Sequence, residues 1–328
     1  MNFVMRDKAW QAEEAVGASK IQMAAPPCYA LHMSQQQDQA LSYFSRFAAD
    51  WRKKASGGYE HKFNVIAARN AYVEGTARSM KPLPRVLDVG CGTGELARAL
   101  AKAGLQATGI DFAPDMVKIC KELAIKEKVN ATFLHASFFD HDFMEASFDL
   151  ISALGFIEYI SQQQLDETIK RSKKILSKRG SLILGSRNRL FNIASMNAYT
   201  TLERELGAAD TLLQEAITIA EAKTTEETIA LLRPLKPSLP RASEHPHHDI
   251  QVQTRHQYTP AELVAILENA GYVTTDIYPV HYHGVPPSFK EEHPDIHTQI
   301  ANLMQEHAGT MPALIPFSST FLIHARLA

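Results

Sequence analysis

Three glycines connect an apolar run to a helical pattern in Val86-Leu-Asp-Val-Gly-Cys-Gly-Thr-Gly-Glu95. Gly90, Gly92 and Gly94 allow the backbone to turn sharply and to approach a ligand without side-chain obstruction. A dinucleotide fingerprint of the form G-x-G-x-x-G would need glycine at position 95, where this chain has Glu95. The pattern therefore predicts a strand, a tight turn and a helix at a ligand site, and it disfavours a nicotinamide dinucleotide.

Short β-rich runs alternate with helical runs on both sides of this motif, as a parallel sheet with crossover helices requires. Seven runs are predicted as strands: 86–89, 107–111, 131–134, 148–153, 181–185, 273–280 and 319–326. The predicted fold is α/β, a Rossmann-like, doubly wound, seven-stranded sheet. It is mostly parallel, has an antiparallel last strand and carries a helical insertion.

The charge balance argues against a nucleic acid or an anionic membrane as partner, because 34 Lys and Arg face 36 Asp and Glu. No apolar run approaches the roughly 20 residues that span a bilayer, and the N-terminal residues include several charges. Cys28, Cys91 and Cys120 share no metal-ligand spacing, which favours a reducing compartment over a disulfide framework. We expect a cytoplasmic protein that acts on a small molecule.

An acidic residue follows the glycine motif at the end of the next predicted strand. Asp111 has the spacing expected of a carboxylate that accepts hydrogen bonds from ribose hydroxyls. Together, Asp88-Val-Gly-Cys-Gly-Thr-Gly94 and Gly109-Ile-Asp-Phe-Ala-Pro-Asp-Met116 resemble class I S-adenosylmethionine methyltransferases. The resemblance implies S-adenosylmethionine as cofactor, with its methionine part at Asp88 and the glycine loop, Gly90–Gly94.

The same resemblance implies further contacts with this cofactor. It places the ribose at Asp111 and the adenine at Phe112 and Met116. The family often has an Asp after the third strand, where this chain has Ala136 and Ser137, so Ser137 or backbone groups would replace it. At the end of the fourth strand, Leu154, Gly155 and Phe156 would border the methyl donor.

A second resemblance covers the region before the glycine loop. Tyr43-Phe-Ser-Arg-Phe-Ala-Ala-Asp-Trp51 and Arg69-Asn-Ala-Tyr-Val73 are similar to ubiquinone-biosynthesis O-methyltransferases. This implies that Arg69 pairs with the carboxylate of the cofactor's methionine part, for which a bidentate guanidinium is suited. The alternative is an exposed arginine on a helix.

Other segments depart from the quinone enzymes. Arg187-Asn-Arg-Leu-Phe-Asn192 and His281-Tyr-His-Gly-Val-Pro-Pro287 resemble uncharacterised methyltransferases associated with cell-surface glycan biosynthesis. The resemblance therefore favours a metabolite or sugar-type acceptor over a quinone.

The domain prediction has four parts. Residues 1–35 are an N-terminal extension with weak periodicity, and residues 36–80 form helices that cap the cofactor site. Residues 81–328 form the methyltransferase domain, in which residues 190–256 are an insertion on the acceptor side. The capping helices carry aromatic side chains at helical spacing, namely Tyr43, Phe44, Phe47 and Trp51.

Two histidines are candidates for the catalytic base. His281 and His283 lie at the end of the sixth predicted strand, where alternate residues share a face, and a hydroxyl acceptor must lose its proton. The alternative is a pair of polar loop histidines. We predict no metal site, because the proline-bearing stretch with His245, His247, His248 and Asp249 lacks a regular element to fix ligand geometry.

The sequence predicts methyl transfer from S-adenosylmethionine to a small-molecule hydroxyl. The alternatives are an amine acceptor, a nucleotide-dependent oxidoreductase, which Glu95 disfavours, and a cofactor-binding regulator without catalysis. We expect no nucleic acid partner and no membrane span, and the choice between monomer and homodimer stays open.

Overall fold

Seven strands form one mixed sheet in the computed structural model, which describes residues 35–55, 57, 62–242, 246, 252 and 255–328. In chain order these strands are β1 (Arg85–Val89), β2 (Gln106–Asp111), β3 (Thr132–His135), β4 (Phe148–Leu154), β5 (Leu176–Arg187), β6 (Tyr272–Tyr282) and β7 (Ser318–Leu327). Their order across the sheet is β3-β2-β1-β4-β5-β7-β6. The predicted Rossmann-like fold class is confirmed.

The strand directions determine which edge of the sheet can bind a ligand. β1 pairs in parallel with β2 and β4, with Asp88 opposite Gly109 and Ser152. β7 is antiparallel to both β5 and β6, so β6 runs in the same direction as β5. The carboxyl ends of the parallel strands and the start of β7 therefore meet at one edge, which is where open α/β sheets bind ligands.

Helices cover the sheet and extend its carboxyl edge. They are α1 (Gln35–Arg46), α2 (Ala48–Ala55), α3 (Val65–Ser79), α4 (Glu95–Lys102), α5 (Pro114–Glu127), α6 (Gln162–Ile175), α7 (Phe191–Ala194), α8 (Ala198–Glu205), α9 (Ala209–Glu221), α10 (Thr225–Leu232), α11 (Pro260–Asn269), α12 (Pro287–Glu292) and α13 (Pro294–Gln305). None of these helices of the described chain is long and apolar enough to cross a membrane.

Local sequence signals explain where several helices begin. Thr259 caps α11 by accepting a hydrogen bond from the Glu262 amide while the Glu262 carboxylate accepts one from the Thr259 amide, which makes a capping box. Thr224 also caps its helix, but the Glu227 carboxylate accepts from the Lys223 amide instead of from Thr224.

Four differences from the predicted elements are tertiary in origin. β5 begins directly after α6 at Leu176, but its pairing with β4 is irregular between Leu176 and Ser181, and regular pairing with β4 and β7 starts at Ser181, where the strand was predicted to begin. The aromatic helix is divided at Phe47 into α1 and α2. The described residues of the region 190–256 hold four helices, α7–α10, and two further helices, α12 and α13, lie between β6 and β7.

The region 190–256 is joined to the main core. Leu212, Ile219, Ile229 and Leu232 of α9 and α10 belong to the same buried cluster as strand residues such as Ile323. This segment therefore shares the core of the domain.

A buried ion pair fastens the same region to the end of β5. Arg189 Nη2 lies 2.7 Å from Glu203 Oε2, and both side chains are almost fully shielded from solvent. Asn192 Nδ2 donates to Glu203 Oε1 and to Gln257 Oε1, at 2.7 and 2.6 Å. Because every member has a partner, the network holds α7 and α8 in one orientation.

Candidate functional site

A cavity of about 1230 Å³ opens at the carboxyl edge of the sheet. Its walls come from α1–α3, the glycine loop, the ends of β2, β4, β5 and β6, and the region 190–256. Of the predicted site residues, the following line it: Arg69, Asp88, Gly90, Gly92, Asp111, Phe112, Met116, Ser137, Leu154, Gly155, His281 and His283. Gly94 does not.

The glycine loop turns with left-handed backbone angles at all three glycines, with φ of 68° at Gly90, 54° at Gly92 and 78° at Gly94. A Cβ atom at Gly94 would lie 2.8 Å from the Cys120 sulfur, so this glycine serves close packing beneath the loop. A Cβ atom at Gly92 would meet no atom within 4 Å. Gly92 therefore leaves open space on the cavity side.

Asp111 is held beside this loop at the end of β2. Its Oδ2 accepts a hydrogen bond from the Gly92 amide and its Oδ1 one from the Ala113 amide, both at 2.9 Å. Burial raises the pKa of Asp111 to about 6, although these amides and His135 oppose the shift. Each carboxylate oxygen retains a second lone pair that can accept from a ligand hydroxyl.

Asp88 lies behind the loop at the end of β1. It is buried, and its Oδ1 accepts a hydrogen bond of 2.9 Å from the Ser152 hydroxyl on β4. Burial raises the pKa of Asp88 to about 7, with a further rise caused by Asp111 and Glu95. The site thus holds two carboxylates whose charge is stabilised by a cationic ligand.

The wall next to Asp111 is apolar. Met116 is buried in a cluster with Ala48 and Ala113, against which Phe112 and Trp51 pack. Flat, apolar surroundings of this kind suit a heterocyclic ring. The cavity is also lined by the whole predicted aromatic set, namely Tyr43, Phe44, Phe47 and Trp51.

Ser137 lies just after β3, at the position where the resembled methyltransferase family often has an aspartate. Its hydroxyl oxygen accepts a hydrogen bond of 3.1 Å from the Phe139 amide while the residue lines the cavity. The hydroxyl hydrogen is therefore available to donate.

Arg69 on α3 approaches the end of β4. A Cβ atom at Gly155 would lie 2.9 Å from its Nη1, so glycine at that position makes room for the guanidinium. The Nε atom is shielded from solvent and has no hydrogen-bond partner among the described residues. Burial lowers the pKa of Arg69, while Glu158, Tyr159 and Asp88 act in the opposite direction. A shielded guanidinium with free donor capacity is a ready site for a carboxylate.

Part of the cavity wall is polar. The Arg187 side chain lies 3.8 Å from the buried Glu158, which also accepts a hydrogen bond from the Arg187 amide. Further polar lining comes from the insertion and its flanks: Asn188, Asn192, Ser195, Asn197, Tyr199, Arg255 and Gln257. Asn188 and Asn192 belong to the segment 187–192 quoted in the sequence analysis, whereas the other five lie in helices and loops without a recognisable spacing.

His281 and His283 are brought together as predicted, at the end of β6. Nε2 of His283 lies 3.0 Å from Nδ1 of His281, and Lys290 Nζ lies 3.2 Å from Nδ1 of His283. Burial lowers the pKa of His281 to about 3 and lowers that of His283 as well. Both imidazoles are therefore neutral at physiological pH.

The histidines of the proline-bearing stretch, His245, His247 and His248, lie outside the described residues, as does Asp249. A third imidazole that the sequence analysis did not single out, His297 of α13, stands beside His281 and His283. Its only sequence signal is a helix that begins at Pro294, which places His297 in the first turn.

Comparisons with known proteins agree with this architecture. Residues 86–180 match the family model described as a methyltransferase domain. Proteins named ubiquinone biosynthesis O-methyltransferase are similar: one from Xanthomonas campestris is 33% identical over 150 residues, which cover 45% of this chain and 61% of the relative. One from Coxiella burnetii is 29% identical over 151 residues, with 46% and 62% covered. The chain thus spans about three fifths of the length of these relatives.

Solved structures share the fold at low identity. Magnesium protoporphyrin IX methyltransferase from Synechocystis PCC 6803 with bound SAM has a TM-score of 0.52 at 13% identity, with 90% of this chain and 99% of that chain covered. The [4+2]-cyclase SpnF has a TM-score of 0.51 at 16% identity, with 90% and 96% covered. Residues 86–180 thus match a methyltransferase domain, and the chain shares its fold with these solved structures.

Proposed function

We propose that the chain transfers a methyl group from S-adenosylmethionine to a hydroxyl of a polar small molecule. One observation carries the proposal: a single cavity is lined by the glycine loop, Asp111 and Arg69, which we call the donor end, and by polar side chains with His281 and His283, which we call the acceptor end. Methyl transfer is an in-line displacement, so donor and acceptor must meet in one shielded space.

The donor end fits the cofactor group by group. Arg69 offers its shielded guanidinium to the carboxylate, and Asp111 offers its free lone pairs to the ribose hydroxyls. Phe112 and Met116 supply an apolar wall for the adenine, and Ser137 offers a hydroxyl donor. When bound, S-adenosylmethionine supplies a methyl group whose bond to sulfur breaks, leaving the electron pair on sulfur, as the acceptor oxygen forms the new bond.

We assign two acidic side chains to the positive sulfur of the cofactor. Asp88 and Asp111 are buried carboxyl groups at the ends of β1 and β2, and burial raises their pKa values to about 7 and about 6. A cation in the cavity favours the charged form of both carboxylates. Leu154 and Gly155 would border the methyl group at the end of β4.

The acceptor end favours a polar substrate. Arginine, asparagine and glutamine side chains line it, and such groups recognise hydroxyl, carbonyl or acidic groups by hydrogen bonds. The relatives that are named O-methyltransferases support oxygen as the accepting atom. We therefore place a metabolite or sugar-type hydroxyl above an amine.

The acceptor proton must leave during transfer, and His281 and His283 are the candidate groups that receive it. A general base works best when its pKa is near the working pH. Burial lowers the pKa of His281 to about 3, so this imidazole alone is a weak base at neutral pH. Activation of the hydroxyl therefore needs help from a further group at this end.

Fold alone does not establish methyl transfer, because the structure described as a [4+2]-cyclase shares it. The test is to incubate the protein with methyl-labelled S-adenosylmethionine and fractionated cell metabolites, and to identify the labelled product by mass spectrometry. Asp111→Ala is the matched control, since it removes the ribose contact. Cofactor binding without any labelled product across fractions would contradict catalysis and favour a binding-only role.

A further inference from the structure

Three imidazoles meet at the wall of the cavity, and we call His281, His283 and His297 the histidine cluster. The ring centroids lie 3.9 Å apart for His281 and His283, 4.9 Å for His283 and His297, and 5.5 Å for His281 and His297. One nitrogen from each ring lies within 4.8 Å of the other two. Within the described part of the chain, no other group of three or more His, Cys, Asp or Glu side chains approaches in this way.

The imidazole of His297 has no hydrogen-bond partner in the described part of the chain. Both of its ring nitrogens are shielded from solvent and unpaired among the described residues, and the side chain is about nine-tenths buried. A buried polar atom without a partner is unfavourable, so each such atom calls for an explanation. A bound ligand between the three rings would provide the missing partner.

The backbone holds the cluster in place. The amide of His281 donates to Gln305 Oε1 at 3.0 Å, and Gln305 Nε2 donates to the Pro279 carbonyl at 3.0 Å, which ties α13 to the end of β6. His281 itself has a φ of 64°, a left-handed conformation that non-glycine residues rarely adopt. Strain of this kind concentrates at functional sites.

The spacing suits a transition-metal ion. Two nitrogens that each lie about 2.0–2.1 Å from one ion, at ordinary coordination angles, are about 2.9–3.4 Å apart. Nε2 of His283 and Nδ1 of His281 share a hydrogen bond of 3.0 Å, a separation within this range. The ligand nitrogen of His297 lies within 4.8 Å of the other two, so it would have to move closer to complete the set. A site with three protein ligands leaves a further position for water or substrate.

We propose that the histidine cluster binds a divalent transition-metal ion of the zinc type, with its open coordination position toward the acceptor. Imidazole is a preferred ligand for Zn²⁺ and its neighbours, and it binds in its neutral form. This departs from the expectation of no metal site, because His297 reaches the pair only through the packing of α13.

The role of the ion rests on the proposed function. A hydroxyl bound to such an ion loses its proton to water more readily, because the positive charge stabilises the resulting alkoxide. The oxygen then supplies the electron pair for the new bond to the methyl group.

Lys290 opposes cation binding and offers a sharp test. Its Nζ lies 3.2 Å from Nδ1 of His283, and a positive charge at this distance disfavours a metal ion. A ligating imidazole usually donates its other N–H to an acceptor. Lys290→Gln removes the charge and offers an amide oxygen, so it should tighten metal binding at least threefold.

The experiment is a calorimetric titration of EDTA-treated, dialysed full-length protein with ZnCl₂, repeated with Co²⁺ to read its visible absorption bands. We expect one equivalent to bind, and we expect His281→Ala and His297→Gln each to weaken binding at least tenfold. His307→Ala, an exposed histidine just beyond α13, and the triple variant His245→Ala, His247→Ala, His248→Ala should bind as the wild type does.

Thermal melts establish that each variant is folded. If His297→Gln does not fold, Lys290→Gln still tests the site, because it keeps all three histidine ligands. The proposal is overturned if the wild type binds no stoichiometric Zn²⁺ or Co²⁺, or if folded cluster variants bind as tightly. It is also overturned if the triple variant abolishes binding. Because S-adenosylmethionine binding is measured separately, failure of the metal site is distinguishable from failure of the proposed methyl transfer.

Discussion

Asp111 shows how one residue can connect the loop to the ligand. Its carboxylate accepts from two backbone amides and faces the cavity, so Asp111→Ala removes a charge-assisted contact worth about 1.5–3 kcal/mol. We expect the affinity for S-adenosylmethionine to fall at least tenfold in calorimetry. Equal affinity in a folded variant would reject the ribose assignment.

The same residue predicts a pH dependence of binding. The pKa of Asp111 is raised to about 6, and the charged form accepts the ribose hydrogen bonds, so binding is strongest above pH 6 and weakens as pH falls through it. Between pH 8 and pH 5 the affinity should fall about tenfold. Asp111→Asn, which cannot ionise, should lose the part of this dependence centred near pH 6, and an unchanged profile would contradict the assignment.

Gly92 predicts a separate effect at the residue scale. Its left-handed angle and the open space on its cavity side mean that Gly92→Val adds both backbone strain and a side chain where the cofactor would lie. We expect loss of cofactor binding in calorimetry with the fold retained. Gly104→Val is the control. Gly104 also has a left-handed φ, of 82°, and open space beside it, but it does not line the cavity. If Gly92→Val binds cofactor as Gly104→Val does, the loop's proposed role is wrong.

At the scale of elements, the ion pair between Arg189 and Glu203 anchors α8. Glu203→Ala leaves a buried guanidinium without its counter-charge, and such a loss typically lowers the free energy of unfolding by about 3–5 kcal/mol. Urea denaturation measures it. Glu268→Ala breaks the exposed pair with Arg233 and should cost less than about 1 kcal/mol. Similar losses in both variants would show that the buried network does not anchor the helix.

At the scale of the whole molecule, the insertion shares the main core, so it should unfold together with the sheet. Leu232 of α10 is fully buried and its neighbour Leu231 is 40% exposed. Leu232→Ala should lower the free energy of unfolding by about 2–5 kcal/mol in one cooperative transition, whereas Leu231→Ala should have little effect. A calorimetric melt with two separate transitions would show that the insertion is an independent unit.

The sequence by itself determined the strand–loop–helix unit at the glycine motif and the alternation that makes the sheet. It also placed Asp111 at the end of β2 and paired His281 with His283 at the end of β6. These features follow from local rules: glycine tolerates left-handed angles, and side chains alternate along a strand. Residues that obey such rules are visible in a short window of sequence.

Only the tertiary structure decided that His297 joins that pair, that Arg69 fits beside Gly155 and that the insertion contributes to both core and cavity. Each of these depends on packing between elements far apart in the chain. The start of β5 at Leu176 was set in the same way, because Leu176 pairs with Phe148 of β4 although regular pairing begins only at Ser181. Long-range contacts have no periodicity of their own, so no spacing in the sequence reveals them.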